Sequence, residues 1–186
     1  MNRLVRAVSI SLSLSLIISS HVLAQKTYAV ALGGGTAIPV GKLGDAQKTG
    51  YNAVASLAIG VAELPLGVRF DAVYNKLLRG ADVVSAPGGS TSTSNFRVMG
   101  VLANLIFGFP GTNAKPYILA GSGLYNSKVE PGAKSQNNIG FNGGLGITLG
   151  FGPVAGFIES RYHSISRSAA KGGVFQLVPI TVGLMF

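Results

Sequence analysis

The sequence predicts an all-β protein, an eight-stranded antiparallel up-and-down transmembrane β-barrel preceded by a cleaved signal peptide. Three observations predict this class. The chain of 186 residues is 47% hydrophobic, yet beyond its first 24 residues it has no apolar run of the length that a membrane helix requires. It contains eight segments in which apolar residues alternate with small or polar ones. Its last segment ends on an aromatic residue, Phe186.

Residues 1–24 are predicted to be a secretory signal peptide. Arg3 and Arg6 form a basic start, a short apolar and serine-rich run follows, and Val22-Leu23-Ala24 ends on a small residue that export peptidases accept. The apolar run is too short and too rich in serine for a membrane anchor, which needs about 20 residues. We therefore expect the mature chain, residues 25–186, to form a single barrel domain.

The composition excludes several kinds of site. There is no cysteine, so disulfides, thiolate metal sites and a lipid anchor on an N-terminal cysteine are ruled out. His163 is the one histidine of the mature chain and carboxylates are few, so no metal or other cofactor is expected. The formal charge of +9 falls to +7 without the signal peptide. Because the basic residues are scattered singly, no nucleic-acid site is predicted.

Eight segments are predicted to be strands, since each alternates with period 2 and is bounded by Gly, Pro, Asn or Ser clusters. They cover residues 27–38, 51–62, 66–78, 95–108, 116–126, 138–151, 153–165 and 174–186. The gaps after the second, fourth and sixth segments are short, and the others are longer. Short periplasmic turns and longer external loops are typical of outer-membrane barrels. Residues Ala86 to Ser94, rich in Gly, Ser and Thr, are predicted to be a mobile external loop.

The two faces of the segments distinguish a membrane barrel from a soluble one. In the sixth segment Ile139, Phe141 and Leu145 share one face, and the other face consists of Gly, Asn and Thr. The water-exposed face of a soluble barrel would be rich in charge, whereas small, weakly polar residues suit a narrow lumen. The apolar face is therefore predicted to contact lipid. The fourth and fifth segments are apolar on both faces, and there only Asn104 is predicted to point inward.

Charged residues on the small and polar faces of the third and seventh segments predict an interior network. Arg69 and Asp71 lie on one such face, and Glu159 and Arg161, followed by His163, lie on the other. An isolated charge in the interior is very costly, so these groups must pair or be hydrated. We expect Arg69, Asp71, Glu159 and Arg161 to pair inside the barrel and to close the bore rather than to line a pore.

The last segment predicts a signal for membrane assembly. Apolar residues occupy every second position of it, at Val178, Ile180, Val182, Leu184 and Phe186. Such a strand, ending on an aromatic residue, is the form recognised by the outer-membrane assembly machinery. Aromatic residues near segment ends are predicted to form girdles at the two membrane interfaces: Tyr28, Tyr51, Tyr74, Phe96, Phe109, Tyr117, Tyr125, Phe151, Tyr162 and Phe175.

Four pieces of the sequence carry a family resemblance, and the resemblance extends over essentially the whole mature chain. They are Pro116–Leu124, Gly140–Gly146, Phe157–His163 and the tail that ends at Phe186. They resemble the outer-membrane β-barrel domain family, which includes the small OmpA-type, OmpX-type and opacity-type barrels. The resemblance implies the fold and a place in the outer membrane, where outer-membrane lipid and the phosphates of lipopolysaccharide are the expected partners. It implies nothing about activity, and no peptidoglycan-binding domain follows, so the tethering role of OmpA-type proteins is not expected.

Three functions remain open at this stage. The first is a non-enzymatic protein with a structural or surface-interaction role through its external loops. The second is a narrow passive channel for small solutes, and the third is a lipid A-modifying hydrolase. Lipid A deacylases of this fold have a Ser two residues after a His, but Ile165 stands at that position here and Ser164 lies on the opposite face from His163. We therefore expect no enzymatic activity and no catalytic residues.

Overall fold

The computed structural model describes residues 26–45, 47–61, 65–79, 95–130, 134–152, 154–167 and 173–186. The predicted signal peptide and the predicted loop Ala86–Ser94 lie outside these residues. The strands are β1 (Lys26–Val40), β2 (Gln47–Val61), β3 (Leu66–Arg79), β4 (Asn95–Gly108), β5 (Ala114–Glu130), β6 (Gln136–Phe151), β7 (Val154–Ser166) and β8 (Val174–Met185), with a short 3-10 helix at Gly41–Leu43. Within the described ranges, no helix is long and apolar enough to cross a membrane.

Each strand pairs antiparallel with its neighbour in sequence, and β1 pairs with β8 to close the barrel. The seam runs from Ala31 opposite Met185 to Val40 opposite Gln176. One step further, the N–H of Phe186 donates to the carbonyl of Val30 at 2.8 Å, and the N–H of Val30 donates back at 3.0 Å. A closed barrel has no unpaired edge, so its backbone is satisfied even in lipid. The predicted eight-stranded antiparallel up-and-down barrel is confirmed.

The strands extend further than predicted at one end of the barrel. This end, called here the long-loop end, carries the connections 41–46, 80–94, 131–135 and 167–173; the opposite, short-turn end carries 62–65, 109–113 and 152–153. Polar residues predicted as loop continue the ladders there, with Gln47 opposite Arg79 and Ser127 opposite Gln136. Satisfying their backbone groups outweighs their low strand propensity. The connection 131–135 is consequently no longer than 109–113, so the predicted alternation of gap lengths is weaker than expected.

The outer wall of the barrel is apolar. Val101, Leu124 and Phe141 are each about two-thirds exposed, at 68%, 65% and 64%. Phe141 faces outward with Ile139 and Leu145, as the alternation of the sixth segment predicted. A continuous band of exposed large apolar side chains on every strand is the surface that a barrel presents to hydrocarbon rather than to water.

The lumen is filled with side chains in two layers. The charged layer lies nearer the short-turn end and contains Ser56, Arg69, Asp71, Asn104, Tyr117, Glu159 and Arg161, all buried. The apolar layer lies nearer the long-loop end and contains Ala37, Leu43, Val73, Leu77, Phe96, Val98, Leu102, Tyr125, Ile165 and Leu177. An eight-stranded barrel is just narrow enough for side chains to fill it in this way.

The apolar layer has an aromatic and cationic cover at the long-loop end. Phe96 packs edge-on against Phe175 with ring centroids 4.7 Å apart, and the guanidinium carbon of Arg167 lies 4.0 Å above the Phe175 ring. Leu43, from the short helix, is buried against the same layer. Because Arg167 lies over the aromatic face, a cation–π contact covers the layer where it approaches solvent.

The girdle prediction is wrong for four aromatic residues, one of which is Phe175, packed against Phe96 at the apolar layer. Phe96, Tyr117 and Tyr125 are buried in the lumen, at 4%, 7% and 1% exposed. Phe96 and Tyr125 point inward because the inward residues of β4 and β5 build the apolar layer, whereas Tyr117 points inward to donate to Glu159 in the charged layer. Tyr28, Tyr51, Phe109, Phe151 and Tyr162 are exposed on the outside, as girdle residues should be.

Candidate functional site

The four charged residues are brought together from opposite walls of the barrel. Arg69 and Asp71 are two residues apart on β3, and Glu159 and Arg161 are two residues apart on β7. Side chains two apart on a strand share a face, so all four project into the lumen. Their side chains are between 0 and 4% exposed.

Each guanidinium contacts both carboxylates. Arg69 reaches across the lumen to Glu159 with Nη1 2.8 Å from Oε2 and Nη2 2.9 Å from Oε1, a two-pronged geometry that only arginine provides. Its Nε is 3.0 Å from Asp71 Oδ1. Arg161 reaches back with Nη1 2.8 Å from Asp71 Oδ2, and its Nε donates to Glu159 Oε1 at 3.0 Å. Two cations and two anions leave the cluster formally neutral.

Three neutral donors satisfy the remaining carboxylate lone pairs. Ser56 Oγ donates to Asp71 Oδ1 at 2.5 Å and Asn104 Nδ2 donates to Asp71 Oδ2 at 2.7 Å. Tyr117 Oη donates to Glu159 Oε2 at 2.8 Å. These donors come from β2, β4 and β5, so the network ties five of the eight strands together. A buried ionic cluster is stable only when its groups are satisfied in this way.

Sequence reasoning missed Tyr117 and Ser56 as members of this cluster. A signal for Tyr117 exists in the ladder, where Tyr117, Gly146 and Glu159 lie opposite one another in one row across β5, β6 and β7. A side chain at Gly146 would meet the Tyr117 ring. The glycine therefore leaves the space through which the phenol reaches Glu159.

A smaller polar group lies between the charged layer and the apolar layer. Tyr125 Oη and His163 Nδ1 are 2.8 Å apart. On the opposite wall, Thr181 Oγ1 donates to Asn52 Oδ1 at 3.0 Å, and Asn52 Nδ2 donates to the carbonyl of Thr36 at 2.7 Å. The interior cavity beside these groups measures about 10 Å³, which is space for about one water molecule.

At the short-turn end the lumen opens into a depression of about 740 Å³. Its lining includes Arg69 and Tyr117, which belong to the charged layer, and Lys115 and Met185, which lie nearer the rim. The depression therefore reaches the charged layer, where the two arginines and two carboxylates fill the cross-section.

The structure places His163 inside the barrel, 1% exposed. The hydrogen bond of its imidazole is made with Tyr125, while Ser164 alternates to the outward face of β7. A nucleophile and its base must lie within hydrogen-bond reach of each other, and these two side chains are on opposite sides of the wall. In the part of the chain that the structure describes, no three His, Asp or Glu side chains are grouped to hold a metal ion.

The residues of the predicted assembly signal lie on the outer wall of β8. Ile180, Val182, Leu184 and Phe186 are between 41 and 60% exposed, and Val178 is half-buried. The opposite face of the strand, with Leu177 and Thr181, is buried in the lumen. Phe186 lies at the short-turn end, where its backbone pairs with β1.

Comparison with solved structures finds similar barrels in other proteins. Neisserial surface protein A aligns with a TM-score of 0.63 and 20% identity, over 86% of this chain and 97% of that chain. A major outer membrane protein from Thermus thermophilus aligns with a TM-score of 0.56 and 12% identity, over 87% and 98% of the two chains. No protein-family profile and no curated protein sequence matches the chain.

The chain is a membrane β-barrel. The apolar outer wall requires hydrocarbon around it, and the two structural neighbours share its fold. The predicted resemblance to small outer-membrane barrels is confirmed at the level of the fold. The predicted location in the outer membrane agrees with both observations.

Proposed function

We propose that this chain is an integral outer-membrane protein without enzymatic activity, whose lumen is a closed structural core and whose role is structural or lies in contacts made by its external surface. The observation that carries the proposal is the filled lumen, in which a neutral ionic cluster and an apolar layer follow one another along the axis. A barrel closed in this way leaves its outer surface and loops as the parts available to a partner.

Two barriers of different kinds oppose the passage of ions. In the charged layer, an ion would have to separate Arg69 and Arg161 from their carboxylates, and breaking a buried pair costs roughly 3–5 kcal/mol. In the apolar layer, it would have to shed its hydration among side chains such as Leu77 and Leu177, which are fully buried, and a bare charge in such surroundings is very costly.

The orientation of the barrel follows from its connections. Outer-membrane barrels have short periplasmic turns and longer external loops, so the long-loop end faces outward in this proposal. β8 then presents Val178, Ile180, Val182, Leu184 and Phe186 as the recognition strand for the outer-membrane assembly machinery. The partners proposed on these grounds are that machinery and the surrounding lipid and lipopolysaccharide.

Conductance in planar bilayers tests the closed lumen. We expect the refolded barrel to give no stable current steps of porin size, because both layers must be displaced together for a continuous water path to form. A porin reconstituted in the same bilayers supplies the positive control. Stable steps of that size from this barrel would overturn the proposal in favour of a passive channel.

Mass spectrometry of lipid A from cells that express the protein tests the absence of hydrolase activity. We expect the acylation pattern to match that of cells without the protein, because the imidazole of His163 lies inside the wall and is engaged by Tyr125. Loss of an acyl chain on expression, abolished by His163→Ala, would establish an enzyme instead.

A further inference from the structure

We propose that a row of basic side chains on the outer wall, near the long-loop end, binds the phosphate of a lipid that carries a phosphate monoester in the outer leaflet. The row consists of Lys76, Arg97 and Lys128. The inference rests on the proposed outward orientation of the long-loop end, and it adds a defined ligand and residues to the proposed surface role.

The three basic residues lie side by side on adjacent strands. Lys76 of β3 is directly opposite Arg97 of β4, and Arg97 is directly opposite Lys128 of β5. Their chain neighbours Leu77, Phe96 and Ser127 are buried in the lumen, so the row faces outward. Residues directly opposite on antiparallel strands have Cβ atoms roughly 5 Å apart, which brings three cations within reach of one anionic group.

The positive charges of this row are not fully compensated by neighbouring carboxylates. Like charges directly opposite one another on neighbouring strands are destabilising. One carboxylate lies among them: Glu130 Oε1 is 3.5 Å from Arg97 Nη1, and Glu130 Oε2 is 3.9 Å from Lys76 Nζ. Both distances exceed the roughly 2.7–2.9 Å typical of a charge-assisted hydrogen bond. Three cations and one anion leave the patch with a formal charge of +2.

The central residue of the row also has an unused donor. Arg97 Nε is buried and makes no hydrogen bond to any residue that the structure describes, although its side chain as a whole is 26% exposed. A buried donor without a partner is costly. A phosphate monoester carries a charge of about −1.5 to −2 and three acceptor oxygens, so it matches both the charge of the patch and its need for acceptors.

The surface beside the row indicates that the phosphate belongs to a lipid. Two residues along each strand towards the middle of the barrel lie Tyr74 on β3, Met99 on β4 and Asn126 on β5, and two residues further lies Val101 opposite Leu124. Val101 and Leu124 are about two-thirds exposed. Four residues of strand span about 13 Å, so a molecule with its phosphate on the row would extend its acyl chains over this apolar wall. Free phosphate would contact the basic row but not the apolar wall.

Tyr51 and Tyr74 indicate the depth at which the row lies. They stack with ring centroids 6.2 Å apart, and Tyr51 is opposite Lys76 on β2. Tyrosines on the outer wall of a membrane barrel mark the level of the headgroups. The basic row therefore lies at or just outside that level, where the phosphates of an outer-leaflet lipid are found.

Binding of lipid A micelles to the refolded barrel in neutral detergent tests the proposal. We expect binding that weakens as salt is added and that falls about tenfold in the double variant Arg97→Gln/Lys128→Gln, since basic residues near an anionic surface act additively. The matched control is Lys115→Gln, which removes a basic residue at the short-turn end and should bind as the unchanged protein does. Glu130→Gln should bind more tightly, because it removes the competing carboxylate.

Each outcome decides the proposal. Equal binding by the double variant and the unchanged protein would overturn it, as would an equal loss in Lys115→Gln. Inorganic phosphate that competes with lipid A at equal concentration would show a site for free phosphate instead of lipid. The heat-dependent gel shift of the folded barrel verifies that every variant is folded. Conductance of the double variant is measured in parallel, so that failure of the lipid site leaves the closed-lumen proposal to be judged separately.

Discussion

Arg161 makes contacts in the lumen that no neutral side chain could replace. Its guanidinium bonds Asp71 on the opposite wall and Glu159 on its own strand. Removing it leaves two carboxylates facing a single Arg69, in surroundings that cannot hydrate the excess negative charge. The contribution of each charged residue to the stability of the cluster therefore depends on the other three.

The variant Arg161→Met tests this dependence. We expect the free energy of unfolding to fall by about 3–5 kcal/mol, because a buried charge loses its partner. Urea titration of the barrel refolded in lipid vesicles measures it. Ser56→Ala, which removes one hydrogen bond to Asp71 but no charge, should cost about 1–3 kcal/mol. Losses of equal size in the two variants would contradict the ionic account.

Sequence reasoning anticipated part of the cluster at this scale. The charges were visible because Arg69, Asp71, Glu159 and Arg161 alternate with apolar residues on strands whose lipid face was clear. Tyr117 could not be placed in the same way, since its phenol is compatible with a membrane interface as well as with a lumen. Its role became evident from its position in the same ladder row as Gly146 and Glu159.

Among the strands, β6 shows how glycine shapes the lumen. Its inward glycines sit beneath large side chains from neighbouring strands: Gly144 lies against Arg161 and Gly146 against the Tyr117 ring. On the outward face, the atom nearest to a side chain added at Gly143 would be a backbone oxygen 3.8 Å away. The same residue type therefore has two different roles on the two faces of one strand.

A pair of alanine variants separates these roles. Gly146→Ala should lower the free energy of unfolding by about 1–3 kcal/mol, because the added methyl group displaces the Tyr117 ring in a packed interior. Gly143→Ala, on the outward face of the same strand, should leave the stability close to that of the unchanged barrel. Urea titration in lipid vesicles measures both, and a larger loss in Gly143→Ala would refute the assignment.

Strand prediction succeeded where the two faces differ in chemistry and was incomplete where they do not. β6 and β7 alternate apolar residues with small or charged ones, so their inward faces could be assigned directly. On β4 and β5 the inward residues Phe96, Val98 and Tyr125 are as apolar as the lipid face, because they build the apolar layer. Period-2 alternation gives no face assignment when both environments favour the same residues.

For the molecule as a whole, β8 serves two purposes: one face packs into the lumen, and the other is proposed to be recognised during assembly. Leu177 and Thr181 pack into the lumen, and the outward residues Val182, Leu184 and Phe186 are exposed to lipid. Recognition by an assembly machinery would use the outward face, which contributes little to packing inside the barrel. Assembly in cells and stability in vitro should therefore respond differently to changes on this face.

Phe186→Ala is expected to reveal that difference. Its yield of folded barrel in the outer membrane should fall several-fold, while refolding into lipid vesicles should be nearly unchanged, since Phe186 is 60% exposed. Heat-dependent gel shifts of membrane fractions measure the yield. Phe151→Ala alters another exposed aromatic residue at the short-turn end, 65% exposed, and serves as the control. Equal yields from the two variants would argue against the assembly signal.

The seam between β1 and β8 differs from every other strand pair in chain entropy. The other seven pairs join consecutive strands, so each can form as a local hairpin. The contact between Leu32 and Leu184, in contrast, closes a loop that contains almost the whole described chain. The entropy of so long a loop must be lost before any contact across the seam repays it. Until then, β1 and β8 are both unpaired edges, open to pairing with another chain. The backbone hydrogen bonds between Val30 and Phe186 therefore form in the step that closes the barrel. That step removes the last strand edge at which another chain could pair.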